Sequence, residues 1–204
     1  MSWKRILGLV LLLIYLPVTA YWGYNWYRQS STVEKSVEKV MAVPNLPDAQ
    51  SGEEEVKTTG AVYKNRPQVD QQVGTIHLPR LNRKLPIYEG SDAKQLKQGV
   101  GHYRGSVLPG EADNTVLAGH RETVFKGLGE MEKGDTIKVE TEAGEFVYEV
   151  TRIRIVDEND KTVIVSTYPK PELRLVTCYP FTPFGPAPER FIVEGELKRE
   201  GGAK

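Results

Sequence analysis

Cys178 is the one cysteine of the chain, and it follows the run Leu173-Arg174-Leu175-Val176-Thr177. Tyr179 and Pro180 come next. A Pro- and Gly-rich stretch then leads to Arg190, which opens the apolar run Phe191-Ile192-Val193. Upstream, Thr115-Val116-Leu117-Ala118-Gly119 ends on His120. A thiol, an imidazole and a guanidinium thus each sit at the boundary of an expected strand. A thiol becomes a nucleophile when something takes its proton, and an imidazole of ordinary pKa near ~6.5 can do so at neutral pH. The imidazole can later return that proton to a leaving amine. A guanidinium stays charged and cannot be the base, but its fixed fork can hold a tetrahedral oxyanion. The backbone N–H of Tyr179, just after the thiol, is a second candidate donor for that oxyanion. The chemistry these groups could perform is acyl transfer.

Each group also has a plainer reading. A free cysteine is among the most buried residue types, a single histidine is commonly structural, and a single arginine is commonly a surface cation. His77 alternates with Ile76 and Leu78, and His102 lies in a Gly-rich segment; both read as structural or surface residues. Three scattered histidines and one cysteine make no metal motif, and no cofactor is implied. Asp157, Glu158, Asn159 and Asp160 read as a solvated turn rather than a calcium site.

The elements that must position these groups are mostly strands. Short apolar or alternating runs predict strands at 73–78, 85–88, 115–120, 135–142, 145–156, 162–167, 173–178 and 190–197. Ala143-Gly144 marks a hairpin turn, and a short helix capped by Ser91 is expected over 91–98. The stretch 122–131 fits helix or loop. About eight short strands in roughly 125 residues predict an all-β closed or nearly closed barrel.

The 204 residues suffice for one ordinary domain with appendages. The 27 basic residues balance the 27 acidic ones, which argues against a nucleic-acid partner. Residues 1–28 read as an N-terminal membrane anchor. Lys4 and Arg5 precede an uncharged stretch over 6–24, which at ~1.5 Å per residue spans roughly 28 Å. Tyr21, Trp22, Tyr24, Trp26 and Tyr27 form an aromatic belt at its far end, and Lys4 and Arg5 favour a cytoplasmic N-terminus. The competing reading is a signal peptide cleaved after Val18-Thr19-Ala20. Both put the C-terminal domain outside the membrane. Residues 29–72 read as a stalk and linker: a short helix with Val33, Val37 and Val40 on one face, stopped by Pro44 and Pro47, then a polar stretch. The catalytic domain is expected over 73–198, with a polar tail over 199–204.

The combination resembles a known family. Leu175-Val176-Thr177-Cys178 resembles the Thr-Leu-x-Thr-Cys signature of sortases, and Leu117-Ala118-Gly119-His120 and Arg190 fit their His–Cys–Arg order. The strings 119–125, 177–181 and 187–193 are most similar to class D sortases of spore-forming Gram-positive bacteria. The resemblance implies an eight-stranded β-barrel with short helices behind a transmembrane helix and linker. It implies a single-pass membrane enzyme that cleaves a C-terminal Leu-Pro-x-Thr-Gly or Leu-Pro-x-Thr-Ala signal of exported proteins after Thr. Cys178 would form a thioester, His120 would transfer protons, and Arg190 would hold substrate and oxyanion. The acyl group would pass to an amine of a cell-wall precursor or peptidoglycan. Ala118, Thr177 and Tyr179 would border the peptide groove. Arg174 departs from the signature, which usually has Thr there. By strand alternation it shares a face with Val176 and Cys178 and could alter the groove.

Rival readings are a different cysteine transpeptidase and a non-catalytic, membrane-tethered binding module with a degenerate site. The Ser-His-Gly-Cys-type motif of L,D-transpeptidases is absent, and papain-like peptidases order Cys before His.

Overall fold

The computed structural model describes residues 3, 12, 15–24, 63–182 and 185–198. Eight strands close into a barrel: β1 Gln72–Leu78, β2 Arg83–Glu89, β3 Val100–His102, β4 Asn114–Ala118, β5 Thr136–Thr141, β6 Gly144–Asp157, β7 Glu172–Tyr179 and β8 Glu189–Leu197. Their order around the barrel is β1-β2-β3-β4-β7-β8-β6-β5. The pairs β2/β3 and β4/β7 are parallel and the others antiparallel.

Period-2 alternation explains which face of each strand turns inward. Ile76, Leu78, Leu85, Ile87, Leu117, Ile137, Val139, Tyr148, Val150, Leu173, Leu175 and Val193 fill the interior with Phe125 and Leu128. Each fully buried Leu or Ile contributes about 1.5–3 kcal/mol. His77 lies in β1 between two fully buried neighbours and is itself half-buried, as the alternation predicts. The β5–β6 hairpin turns through Glu142-Ala143, and Gly144 at its exit takes φ +130, a conformation that strains other residues. Ahead of β1, Tyr63 packs against the core, and its hydroxyl donates to the Pro109 carbonyl at 2.8 Å.

The strand count matches the expectation, but one member differs. Residues 162–167 are not a strand; Lys161–Ile164 is a 3-10 helix. The run Thr-Val-Ile-Val has strand propensity, yet its carbonyls bond to side chains instead of a ladder. Asp160 accepts the Thr162 N–H at 2.7 Å and so starts the turn. Asn114 Nδ2 donates to the carbonyls of Val163 (2.9 Å) and Val165 (3.0 Å). Arg174 Nη1 donates to the carbonyls of Thr162 (2.7 Å) and Val163 (2.8 Å). The eighth strand is β3, a three-residue piece paired to both β2 and β4. It is too short and too glycine-bearing to show a periodicity.

The expected helix over 91–98 is a single turn, Ala93–Leu96, whose N-cap is Asp92 rather than Ser91. The stretch 122–131 is turns followed by the 3-10 helix Leu128–Glu130. Residues 15–24 are helical. No helix among the described residues is long and apolar enough to cross a membrane. The rest of the expected anchor, most of the linker and the tail lie outside the described residues.

Candidate active site

β4 and β7 run parallel, with Ala118 opposite Val176. Past that pair the two chains stay joined. The Gly119 N–H donates to the Val176 carbonyl at 3.1 Å, and the Thr177 hydroxyl donates to the Gly119 carbonyl at 2.7 Å. His120 leaves from this joint, just after β4 ends. Gly119 is required there: a Cβ would lie 2.7 Å from Phe125 Cδ2, and Phe125 is fully buried. The Phe125 N–H donates to the His120 carbonyl at 2.9 Å and turns the chain back over the barrel end.

Cys178 is the next-to-last residue of β7 and stands directly opposite Arg190 in the β7–β8 ladder. Directly opposed residues project to the same face of a sheet, so thiol and guanidinium share a face. Alternation puts Arg174, Val176 and Cys178 on that face and Leu173, Leu175 and Thr177 on the inner one. Cys178 is a free, half-buried thiol. It is not the core cysteine of the plainer reading.

Arg190 Nη1 donates to the carbonyls of Ala187 (2.8 Å) and Glu189 (2.9 Å), and Nη2 donates to Glu158 Oε2 at 3.2 Å. These bonds fix its direction at the mouth of the β7–β8 loop. Glu158 is itself tied to that loop, because its N–H donates to the Pro188 carbonyl at 2.9 Å. Burial lowers the pKa of His120 from its ordinary 6.5; Glu122 opposes the shift and Lys97 adds to it. The imidazole is therefore neutral at neutral pH and able to accept a proton.

Among the residues expected along the groove, Ala118 is half-buried at the end of β4. Thr177 is buried with its hydroxyl turned to Gly119, so it offers the outer face its backbone. The Tyr179 ring packs with Phe181 (centroids 5.5 Å apart) and Phe191 (6.2 Å) at the barrel end, so Tyr179 likewise offers backbone. Arg174 shares the expected face but is committed elsewhere. It is buried, faces Glu194 across the ladder, and bonds Glu172 at 3.1 Å and the 161–164 turn.

A second constellation imitates a catalytic triad. His102 Nδ1 lies 2.7 Å from Glu89 Oε2, and Nε2 lies 3.2 Å from Ser106 Oγ. The Ser106 hydroxyl donates instead to the Tyr103 carbonyl at 2.7 Å, while its oxygen accepts the Val116 N–H at 3.0 Å. His102 Nε2 also faces the Val107 carbonyl at 3.0 Å. Ser106 has one hydroxyl proton and gives it to the Tyr103 carbonyl, so none is aimed at His102. With 2% exposure, His102 is a structural histidine and not a surface one. A cleft of about 530 Å³ bounded by Tyr63, Arg66, Gln72, Glu140 and Thr141 has none of the reactive groups on its walls. Among the described residues no group of three or more His, Cys, Asp or Glu could hold a metal ion.

A closed β-barrel that carries a free thiol, a neutral imidazole and a guanidinium at one end has the layout of a cysteine-dependent acyl-transfer enzyme. The sortase domain model matches residues 76–198. The chain is 36% identical over 197 residues to Sortase D of Bacillus subtilis (strain 168), covering 95% of this chain and 98% of that protein. It is 26% identical over 208 residues to Sortase A of Bacillus anthracis, covering 97% of each. Among solved structures, sortase C from Clostridium perfringens SM101 superposes with a TM-score of 0.59 at 31% identity, covering 65% of this chain and 72% of that one. The chain belongs to the sortase family of cysteine transpeptidases.

Proposed function

We propose that this chain is a membrane-anchored sortase that cleaves a Leu-Pro-x-Thr-Gly or Leu-Pro-x-Thr-Ala sorting signal after Thr and joins the new carboxyl end to a cell-wall amine. The observation that supports it most is the cross-strand pair Cys178–Arg190 beside the turn that carries His120. In the first half, His120 accepts the Cys178 proton as Sγ attacks the Thr carbonyl carbon. The carbonyl oxygen becomes an oxyanion, held by the Arg190 guanidinium and the Tyr179 N–H. The C–N bond then breaks, and the imidazolium gives its proton to the leaving amine, which leaves a thioester on Cys178. In the second half, His120 takes a proton from the incoming amine as it attacks the thioester. The amide forms, and the departing thiolate recovers the proton.

The lowered pKa of His120 suits this cycle, since a neutral imidazole is the form both halves begin from. The half-buried Ala118 and the backbone of Thr177 border the peptide, with Val176 beneath it. The remaining steps of the reading follow from the sequence: residues 1–28 hold the domain at the outer surface of the cell membrane, with the N-terminus cytoplasmic. Exported proteins then reach the enzyme in the thin layer where both are tethered, which raises their effective concentration.

The test is incubation of the full-length chain with Leu-Pro-x-Thr-Gly and Leu-Pro-x-Thr-Ala peptides and a diaminopimelate-bearing acceptor. Cleavage after Thr and a joined product are expected. Absence of cleavage of both peptides would contradict the reading.

A further inference from the structure

Arg121, next to His120, takes no part in the chemistry above. Its side chain is buried, with the residue 8% exposed. Three donors of its guanidinium point in three directions. Nε donates to Glu122 Oε1 at 2.8 Å, Nη1 to the Pro180 carbonyl at 2.6 Å, and Nη2 to the Gly185 carbonyl at 3.2 Å. Burying a guanidinium is unfavourable unless its charge and donors are met. Here Glu122 meets the charge and two loop carbonyls meet the donors.

Both carbonyls belong to the β7–β8 loop. That loop, residues 180–188, starts two positions after Cys178 and ends two positions before Arg190, which bonds the loop's Ala187 carbonyl at 2.8 Å. The loop is therefore gripped by the residue after His120 and by Arg190, besides the Glu158 N–H on its Pro188 carbonyl. A separate contact brings the same two segments together: a Cβ on Gly129 would lie 2.7 Å from Phe181 Cε2. The Phe181 ring thus lies on the backbone of the segment that follows His120.

We propose that Arg121 is a positioning residue for the transpeptidation, a clamp that locks the His120 turn to the β7–β8 loop and so holds His120, Cys178 and Arg190 as one rigid unit. The proposal rests on the reading of those three as the reacting groups. Arginine is needed because a planar fork reaches two carbonyls and a carboxylate at once, whereas a lysine ammonium is a single point on a flexible stem. A displacement of about 1 Å in such a site reduces turnover on the order of a hundredfold.

The test compares full-length wild type, R121Q and R121K by peptide turnover, by amide hydrogen exchange and by thermal melting. R121Q is expected to lower kcat by ~10–100-fold with a smaller change in KM. Exchange should speed up at Phe181, Thr182, Gly185 and Ala187 while the core strands stay protected. R121K should fall between the two. Unchanged kcat, or unchanged exchange in the loop, would overturn the clamp. A general rise in exchange across the barrel with a lowered melting temperature would also overturn it, in favour of a purely structural role. If wild type cleaves no peptide, the sortase reading fails, while the exchange comparison still decides whether the clamp exists.

Discussion

Ala118 and Val176 face each other across the parallel pairing of β4 and β7, and His120 and Cys178 each lie two residues further along their chains. Parallel strands deliver equal offsets to the same end of a sheet. His120 and Cys178 are both carried to that end because the two strands are neighbours, although Gly119 and Val176 are 57 positions apart in the chain. The Thr177 hydroxyl on the Gly119 carbonyl holds the joint beyond the last ladder pair.

Thr177→Val keeps the shape and removes that donor. The Gly119 carbonyl then loses a buried partner, which should destabilise the fold by about 1–3 kcal/mol. Turnover should fall more than the stability change explains, because the His120 turn loosens. Thr177→Ser should retain both. Denaturant melts and peptide kinetics on the three proteins check this.

Gly119→Ala forces a methyl into Phe125. Overpacking of this kind costs about 1–3 kcal/mol. The double variant Gly119→Ala/Phe125→Leu should recover part of the stability, and a double-mutant cycle measures the coupling. Additive effects would show that the Phe125 contact is not the cause.

The pH dependence follows from His120. Its folded-state pKa is lowered, so the native fold favours the neutral ring. Above the unfolded value of 6.5 both states are neutral there and the residue contributes no slope. As pH falls below 6.5 the unfolded chain protonates first, and the native state loses stability until the folded pKa is passed. Wild type should therefore lose stability relative to His120→Gln over that window, and the difference should level off below it. His77 is also lowered, chiefly by burial and then by Lys84 and Lys138, and remains in both proteins. Parallel stability curves for the two proteins would contradict the assignment.

Much of this arrangement was legible in the sequence. Apolar or alternating runs located seven of the strands: β1 alternates, with Ile76 and Leu78 inward, whereas β4 and β8 are buried over successive residues and read as continuous runs. The thiol, imidazole and guanidinium stood out because they end or open apolar runs. What stayed hidden depends on contacts between distant segments. Residues 162–167 read as a strand because propensity is local, while the carbonyl partners Asn114 and Arg174 come from other elements. β3 left no signal because His102 and two small neighbours are buried on every side. Arg121 carries no local signal beyond its place beside His120, because its loop acceptors lie about sixty residues away along the chain.

Arg174 now has a definite role to test. Together with Arg154, which bonds Glu194 at 2.7 Å, it neutralises Glu194 beneath the loop that leads into β7. Arg174→Thr, the residue usual in the family signature, should destabilise the fold by about 1–3 kcal/mol, because the Thr162 and Val163 carbonyls lose their buried donor while Glu194 keeps Arg154. Hydrogen exchange should rise first in 161–167. Undiminished stability would show that the two carbonyls do not depend on Arg174.

The central claim is that Cys178 is the acyl-carrying nucleophile. Intact-protein mass spectrometry on the full-length chain, mixed with a Leu-Pro-x-Thr-Gly or Leu-Pro-x-Thr-Ala peptide and no acceptor amine, tests it most directly. The account predicts a mass increase equal to the peptide cut after Thr, located on Cys178, released by hydroxylamine and absent in Cys178→Ala. Peptide cleavage that persists in Cys178→Ala, or an adduct on any other residue, would contradict it.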